Sequence, residues 1–584
     1  MAQETLISPG VLTRENDLSQ ITQLPLTVGL ALVGPTVKGQ PNIPTVVRSY
    51  SDYVNRFGGS FISGGASYEF LTSITAYNYF QQGGETILVT RVTSGSFSAA
   101  SASVLISGSS LSTPTASFVL ETLNYGIMTD NSSSILSNGS LSSGSQENVK
   151  WEVRNVNSGS GTFTLLVRRG DDNTNTPVIL ETYTNVSLDP NQPNYIELVI
   201  GNQSKTVQYD ADMGGYYIKI SGDYPNNSRY VRVKSVNSPT PNYFNNAGGV
   251  GTNSAGGSYS ASLPFAGSGS YGGSFDGGAG DDIPYIGNTL FGDIGTITQG
   301  LTAGNYVTAS NILSNPDEYD FELLVTPGLV KQEHSTAVSN FVSNAENRGD
   351  FFYITDLTKY NQTIGTPVTQ AAGMDTNYAG AYWPWVQVVS QETGKLVWVP
   401  ASTAMAGVYA FNDNVSAEWF APAGLNRGGL GGVIQAERKL SPTNRDNLYS
   451  AKVNPIATFP NIGVTAFGQK TLQTKSSALD RINVRRLLIA LKRYIGNVAD
   501  TLVFEQNTTI TRNRFLSQVT PYLESVQQRQ GLYAFKVVMD DTNNTPDVID
   551  RNQLVGQIYL QPTRTAEFIL LDFNVLPTGV EFGS

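Results

Sequence analysis

The chain contains no cysteine and a single histidine, His334, among its 584 residues. The absence of cysteine excludes disulfide bonds, thiolate metal sites and cysteine nucleophiles. One histidine cannot build a multi-histidine metal site, and a Ser–His–Asp triad would depend on this residue alone. We therefore expect a solvated His334 at a helix start, no bound metal or cofactor, and a protein that is not an enzyme.

Charged residues are also scarce, at 14% of the chain, whereas about a quarter is usual. The surface must then be largely Ser, Thr, Asn, Gln and Gly, which suits a protein that is covered by its neighbours. The net charge is −11, yet residues 451–584 hold 14 basic and 11 acidic side chains. This asymmetry indicates that different regions face different partners.

Long apolar runs and targeting signals are missing as well. The most apolar early run, residues 24–34, contains Pro25 and has about half the length needed to cross a bilayer. The N-terminal residues lack the basic and apolar regions of a signal peptide. We expect a soluble protein that is made in a cytoplasm and does not insert into a membrane.

Two short motifs are weak matches to ligand-binding patterns. GSGSYG (267–272) fits G-x-G-x-x-G, but it lies in a Gly/Ser-rich stretch with no flanking strand and helix, which predicts a flexible loop. DDTNNTPDVIDRN (540–552) resembles a calcium loop, but Pro546 replaces the required glycine and Asn552 replaces the final glutamate. A turn formed by Asn and Asp side chains before a strand is the better interpretation.

The pattern of apolar residues predicts an α/β (α+β) core that is interrupted by β-rich sequence. Strands are predicted at 27–34, 85–92, 319–325 and 350–356, and helices at 67–84, capped by Ser67, and at 335–347. Strand–helix–strand units this compact favour parallel pairing. Alternating runs at 150–156, 162–169 and 195–201 predict further strands, and residues 245–282 read as a linker.

These patterns predict a core that is formed by the N- and C-terminal parts of the chain, with a large β-rich insertion. The predicted parts are an N-terminal arm (1–20), a first core part (21–92), β-rich outer domains (93–310), a second core part (311–450) and a C-terminal core domain with a terminal strand (451–584).

The segment DRINVRRLLIALKRYI (480–495) is a strongly basic amphipathic helix. Its apolar arc is Val484, Leu487, Leu488, Leu491 and Ile495. Its basic side chains, which we expect to form a strip, are Arg481, Arg485, Arg486, Lys492 and Arg493. The small net charge of the region argues against direct nucleic-acid binding and leaves an acidic protein surface as the partner. Arg481 and Arg486 are equally suited to pair with acids of the same subunit.

Several motifs in order resemble those of contractile bacteriophage tail sheath proteins. The C-terminal ones include NPIATF (454–459), DRINVRRL (480–487), VFEQNTTITRNRF (503–515) and AEFILLDF (566–573). Others further upstream are SPGV (8–11), GLALVGPTVKG (29–39), YWPWVQV (382–388) and WFAPAGLNRGGL (419–430). The resemblance covers both ends of the chain but not residues 93–310.

The resemblance implies a helical sleeve of identical subunits that surrounds a tail tube, meets baseplate and terminator proteins, and contracts to drive the tube through the host envelope. It implies a virion protein that assembles in the host cytoplasm, with the basic helix next to the tube. It further implies that terminal segments add strands to neighbouring subunits, here Ser8, Pro9, Gly10 and Val11 and the run Glu567, Phe568, Ile569, Leu570 and Leu571. Two alternatives stay open, the sheath of a bacterial contractile injection system and, more distantly, a tail fibre or a glycan-binding or glycan-hydrolysing virion protein.

Overall fold

The structure is a computed structural model that describes residues 28–63, 66–93, 97–107, 114–131, 135–212, 215–276 and 303–567. It has a mixed α/β fold, which confirms the predicted class at that level. Three-residue 3-10 turns at Ile127–Thr129 and Ala478–Asp480 supplement its helices and strands.

The strands are numbered in chain order. They are β1 (Val28–Gly34), β2 (Thr45–Val47), β3 (Ser60–Ser63), β4 (Ala66–Glu69), β5 (Ile87–Arg91), β6 (Phe97–Leu105), β7 (Ala116–Tyr125), β8 (Val149–Asn157), β9 (Thr162–Arg169), β10 (Ile179–Ser187), β11 (Ser204–Asp210), β12 (Gly215–Ser221), β13 (Val231–Val236), β14 (Gly267–Gly269), β15 (Phe275–Asp276), β16 (Phe321–Val330), β17 (Phe352–Asp356), β18 (Ala379–Trp383), β19 (Val386–Val389), β20 (Leu396–Val399), β21 (Val433–Ala436), β22 (Val453–Phe459), β23 (Gly463–Ala466), β24 (Leu532–Val538) and β25 (Gln557–Pro562).

The α-helices are numbered in the same way. They are α1 (Tyr50–Phe57), α2 (Leu71–Gln81), α3 (Ile196–Ile200), α4 (Tyr259–Ser262), α5 (Ala303–Ile312), α6 (Ser335–Arg348), α7 (Gly365–Ala372), α8 (Ala401–Val415), α9 (Pro442–Ser450), α10 (Ile482–Asp500), α11 (Thr509–Gln528) and α12 (Pro546–Asp550).

An eight-stranded sheet is built from two distant parts of the chain. Its strand order is β2-β5-β1-β16-β17-β18-β22-β23, so β1 pairs with β5 on one side and with β16, almost three hundred residues later, on the other. The six central strands are parallel, and only β2 and β23 at the edges run antiparallel to their neighbours. The predicted strands at 27–34, 85–92, 319–325 and 350–356 are confirmed.

Both faces of this sheet are buried, as parallel sheets require. Alternate residues of β1 point to opposite sides: Leu30 and Leu32 belong to the core with α2 and α8, while Ala31 and Val33 belong to the core with α5 and α6. The predicted helix at 335–347 is confirmed as α6, which presents Val338, Phe341 and Ala345 to the second core.

One predicted helix starts later than its pattern indicates. Residues 66–69 form strand β4, which pairs with β3, and α2 begins at Leu71 after Phe70. Ser67 therefore does not cap the helix, because its backbone is part of a hairpin. The apolar prediction survives this correction, since Phe70, Leu71 and Ile74 are all buried.

Most of the described residues between 97 and 276 form antiparallel sheets around a separate apolar core, whereas the β11–β12 hairpin packs against the core that contains α5 and α6. The two larger sheets have the orders β10-β9-β8-β14 and β13-β7-β6-β15, and their inner faces share one buried cluster. The predicted strands at 150–156 and 162–169 are confirmed. The strand predicted at 195–201 is wrong, because residues 196–200 form the short helix α3, whose Ile196 and Ile200 both point into this core.

Residues 245–276 are folded rather than a linker, which corrects the expectation drawn from their composition. Tyr259, Leu263 and Tyr271 are buried in the same core, at 8%, 0% and 0% exposure. GSGSYG does not form a flexible loop, since Gly267–Gly269 is strand β14, which pairs with β8. Glycine allows this close approach, because a Cβ on Gly269 would lie 2.5 Å from the indole of Trp151.

The C-terminal part adds a layer of α10, α11 and the β24–β25 ribbon. Leu487 and Leu491 of α10 pack with Phe515, Val519 and Leu523 of α11 in one apolar cluster. α11 starts at the N-cap Thr508, whose hydroxyl accepts the N–H of Thr511. This layer positions the basic helix.

Candidate inter-subunit surfaces

The basic helix α10 is buried on two sides rather than one. Ile482 and Ile489 join the core of the eight-stranded sheet, while the predicted arc residues Leu487 and Leu491 face α11. Val484, Leu488 and Ile495 are buried or half-buried, so the predicted arc is confirmed. Because α10 lies between two layers, little of its surface remains for a basic strip.

Arg486 of α10 points into the junction between the core of the eight-stranded sheet and the C-terminal layer. Its guanidinium donates two hydrogen bonds to the carboxylate of Asp413 in α8, at 2.7 and 2.6 Å, and lies 5.0 Å from the ring centre of Tyr409. The arginine side chain is only 3% exposed. Burial alone would lower the pKa of Arg486, but the carboxylate of Asp413 raises it, so this residue stays charged.

Arg493 and Arg481 are also engaged inside the subunit. Arg493 forms ion pairs with Asp320 and with Glu322 of β16, at 3.0 and 2.9 Å. Arg481 donates hydrogen bonds to both oxygens of Glu567, at 2.6 and 3.0 Å. Of the two alternatives left open for Arg481 and Arg486, the structure has pairing with acids of the same chain.

Arg485 is buried without a carboxylate partner among the described residues. Its guanidinium lies 4.1 Å from the ring centre of Tyr378, and its exposure is 4%. Burial lowers the pKa of Arg485, and Tyr378 opposes this by interacting with the charged form. Lys492, by contrast, is exposed.

The prediction that the basic side chains of α10 form an exposed strip is therefore wrong for four of the five residues. Arg485 and Arg486 are buried, and Arg481 and Arg493 bind acids of the same chain, so only Lys492 offers an open cation. Among the acids that bind these arginines, Asp413 lies 73 positions from Arg486 and Glu322 lies 171 positions from Arg493 in sequence. Helical periodicity carries no signal for such distant partners, and the sequence therefore did not reveal them.

Glu322 and Glu418 make this junction richer in acid than in base. Burial raises the pKa of Glu322 to about 7, Glu418 adds to the rise, and Arg493 and Arg486 oppose it. The pKa of Glu418 is raised as well, by burial first, while Arg486 lowers it and Asp413 raises it. The chemistry is that of a charge cluster that holds two layers together.

Glu567 anchors the last described residues to the core. Besides Arg481, it accepts hydrogen bonds from Tyr449 of α9 and from the amide of Gln469, at 2.9 and 3.1 Å. Burial alone would raise the pKa of Glu567, but the hydrogen bonds from Arg481 and Tyr449 hold it below its usual value. The other residues predicted to exchange between subunits, Ser8, Pro9, Gly10, Val11, Phe568, Ile569, Leu570 and Leu571, lie outside the described residues.

The β24–β25 ribbon presents strand edges that no other described strand covers. Phe535 and Val537 of β24 stand opposite Leu560 and Ile558 of β25 and pack towards α11. An isolated two-stranded sheet is only marginally stable, and its open edges can accept further strands. The ribbon is therefore a suitable acceptor for a strand from another chain.

The other motifs contribute no ligand site. His334 is buried rather than solvated, at 2% exposure, because its Nδ1 accepts the N–H of Val330, at 3.3 Å, where the chain turns into α6. Residues 540–545 form the predicted turn, in which Asn543 and Asn544 bind backbone groups, and the helix α12 lies between this turn and β25. Across the described ranges, no group of three or more His, Asp or Glu side chains is arranged to hold a metal ion, and no helix is long and apolar enough to cross a membrane.

Two family models match consecutive stretches that contain these surfaces. The phage tail sheath protein central domain matches residues 299–472, and the phage tail sheath C-terminal domain matches residues 474–575. Residues 299–575 belong to the phage tail sheath family. The first match covers β16, β17, β18, β22 and β23 of the large sheet, and the second covers α10, α11 and the β24–β25 ribbon.

Individual relatives agree with this assignment. The chain is 34% identical over 318 residues to the tail sheath protein of Vibrio phage KVP40, which covers 53% of this chain and 47% of the relative. It is 33% identical over 315 residues to the tail sheath protein of Enterobacteria phage T4, covering 50% and 48%. The matched region thus spans about half the length of these curated relatives.

The fold is shared over a greater length with a solved structure. The crystal structure of the sheath tail protein from Listeria innocua matches with a TM-score of 0.52 and 12% identity, covering 92% of this chain and 95% of that one. At this identity the match concerns the fold alone, which is that of a sheath protein.

Proposed function

We propose that the protein is the structural subunit of a contractile phage tail sheath. In this role identical subunits form a helical sleeve around a tail tube, between baseplate and terminator proteins, and the sleeve contracts to drive the tube through the host envelope. The observation that carries the proposal is the pair of adjacent sheath-domain matches over residues 299–472 and 474–575. The proposed role is mechanical and involves no catalytic step, no nucleic acid and no membrane insertion.

We further propose a division of labour within the chain. In this proposal residues 21–92 and 311–584 form the α/β core, and the β-rich residues 93–310 form an outer domain. The strand order supports this division, because β1 and β5 share a sheet with β16, β17, β18, β22 and β23, while β6 to β15 build sheets of their own. We propose that the core resumes at residue 303, since α5 packs into the core of the large sheet through Tyr306 and Ala309.

Strand exchange at the termini is the proposed link between subunits. The β24–β25 ribbon has edges that no other described strand covers, and Glu567 fixes the point at which the chain continues towards residues 568–584. Ser8–Val11 and Phe568–Leu571 are the proposed donors. Strand addition suits a sleeve that must stay connected while it changes shape, because backbone hydrogen bonds link the subunits without a covalent bond.

A tube contact through α10 remains part of the proposal, in a narrower form. Lys492 is its exposed cation, while Arg481, Arg486 and Arg493 bind acids of the same chain and so hold the helix in place. Exposed ion pairs are worth only about 0–1 kcal/mol each and weaken with salt, which suits a contact that has to release.

Negative-stain electron microscopy of the purified protein tests the function directly. Hollow sleeves or long sheath-like tubes are the expected result, and their inner diameter shows whether a tube protein would fit. Thin fibres or discrete trimers would contradict the proposal and favour a tail fibre.

A further inference from the structure

The tip of the α10–α11 hairpin exposes an apolar knob. Phe504 is as exposed as in an extended peptide, at 103%, and Val503 and Ile510 beside it are 59% and 81% exposed. The backbone of Phe504 has a φ of +69°, a left-handed conformation that bulky residues rarely adopt. A strained backbone that holds an aromatic ring in water indicates that the ring has a binding role outside its own subunit.

A cavity at the other end of α10 has matching properties. Its volume is about 360 Å³, and its lining includes Ala423, Phe467, Gln469 and Glu567. The cavity adjoins the helix start, because Gln469 accepts the N–H of Ile482 and Glu567 binds Arg481. Phe467 is 43% exposed, so the cavity offers an aromatic wall that is not yet covered.

The charges at the two ends are complementary. Arg427 and Arg445 line the cavity, and each lies over an aromatic ring, Phe420 and Phe459 respectively, rather than on a carboxylate of the described chain. The carboxylate of Glu567 is already bound to Arg481, which leaves exposed Asp446 as the one further acid of the lining, so the cavity keeps a net positive charge. At the knob, Glu505 follows Phe504, and its contact with Arg514, at 3.8 Å, is long and solvent-exposed.

Distance forbids this pairing within one subunit. The 19 residues of α10 separate knob and cavity by about 28 Å, so a subunit cannot fill its own cavity. We infer that Phe504 of one copy inserts into the Ala423/Phe467 cavity of a second copy, with Glu505 next to Arg427 and Arg445. Such a head-to-tail contact leaves a knob free at one end and a cavity at the other, so it propagates along a filament.

This inference rests on the proposed function, and the absence of cysteine allows a sharp test. The variant F504C/A423C is assembled into sleeves and treated with a short bis-maleimide cross-linker, alongside each single variant. Y209C/A423C is the matched control, since Tyr209 is another exposed aromatic residue, in the β-rich part of the chain. We expect a ladder of covalently linked subunits from F504C/A423C sleeves alone.

Each other outcome has a defined meaning. Sleeves without a ladder would overturn the inference and leave the sheath function intact, whereas a wild-type protein that forms no sleeves would overturn both. A ladder that appears only after residues 568–584 are removed would assign the cavity to that segment and would also overturn the inference.

If the cysteine variant fails to assemble, a charge reversal at Glu505 tests the same contact between the knob and the cavity. E505R should raise the subunit concentration needed for assembly by roughly tenfold or more, because it brings three cations together. Adding R427E and R445E should restore assembly. Failure of the triple variant to recover, with unchanged thermal unfolding of each subunit, would contradict the proposed contact.

Discussion

At the scale of single residues, the buried pair of Arg486 and Asp413 dominates the α10 junction. Replacement of Arg486 by Met should reduce the free energy of unfolding by roughly 3 kcal/mol, because Asp413 loses its partner inside the protein. R486M/D413N should cost clearly less than the sum of the two single variants, since it removes both charges. Denaturant unfolding of the four proteins measures this coupling. Additive losses would show that the two side chains act independently.

Asp356 gives the stability a predictable pH dependence. Asp356 is the last residue of β17 and is buried next to the first turn of α8. Its carboxylate accepts hydrogen bonds from the backbone N–H and the hydroxyl of Ser402 in that turn. Burial raises the pKa of Asp356 to about 7, against the opposing bonds from Ser402. Since the folded protein then binds this proton more tightly than the unfolded chain does, the stabilisation is complete below about pH 4 and is lost as the pH rises to 7.

The thermal midpoint should therefore fall more between pH 5 and pH 8 in the wild type than in D356N. The difference should correspond to on the order of 2–3 kcal/mol. Thermal scans at the two pH values measure it, and S402A, which keeps the carboxylate, serves as the control. Parallel curves for wild type and D356N would show that Asp356 is ionised throughout this range.

A charge reversal at Lys492 tests the proposed contact between α10 and the tail tube. K492E should leave subunit folding unchanged, because the side chain is exposed, and should weaken assembly on purified tubes by a few-fold. Free sleeves, formed without tubes, are the internal control and should appear at the normal concentration. Equal assembly of K492E and wild type on tubes would show that this lysine faces solvent.

At the scale of secondary-structure elements, the β24–β25 ribbon predicts dependence on donated strands. Removal of residues 1–20 should leave subunits that fold but do not form long sleeves, because the ribbon edges stay unpaired. A chain in which Gly and Ser replace Ser8–Val11 at unchanged length separates strand donation from mere chain length. Circular dichroism and electron microscopy measure folding and assembly. Long sleeves from the shortened chain would refute the exchange at this end.

Sequence patterns predicted the regular elements well and their surroundings poorly. Strands β1, β5, β16 and β17 and helix α6 follow from local periodicity. Each strand is buried in the large sheet, and α6 packs on one face of that sheet. The position of residues 245–276 did not follow, since small residues that allow close packing look the same in sequence as those of a flexible linker. The partners of Arg486 and Arg493 were invisible for another reason: they come from α8 and β16, and only the folded sheet brings them to α10.

At the scale of the whole molecule, the strand order predicts where the β-rich part can be removed. Joining residue 92 to residue 303 by a short linker should leave a folded core, because β5 and α5 both stay in place. Joining residue 92 to residue 315 should be markedly less stable, by several kcal/mol, because it removes Tyr306, Ala309, Ile312 and Leu313, all at most 3% exposed. Solubility and thermal unfolding compare the two chains, and equal stability would contradict the packing of α5.

The anchoring of Glu567 has a mechanical consequence. A pull on residues beyond 567 would, without this anchor, peel β25 away from β24 one hydrogen bond at a time. Because Glu567 is bound by Arg481, Tyr449 and Gln469, the tension instead enters α10 and α9 together, before it reaches the ribbon. We therefore expect the ribbon to keep its shape under forces that its few backbone hydrogen bonds would not withstand alone.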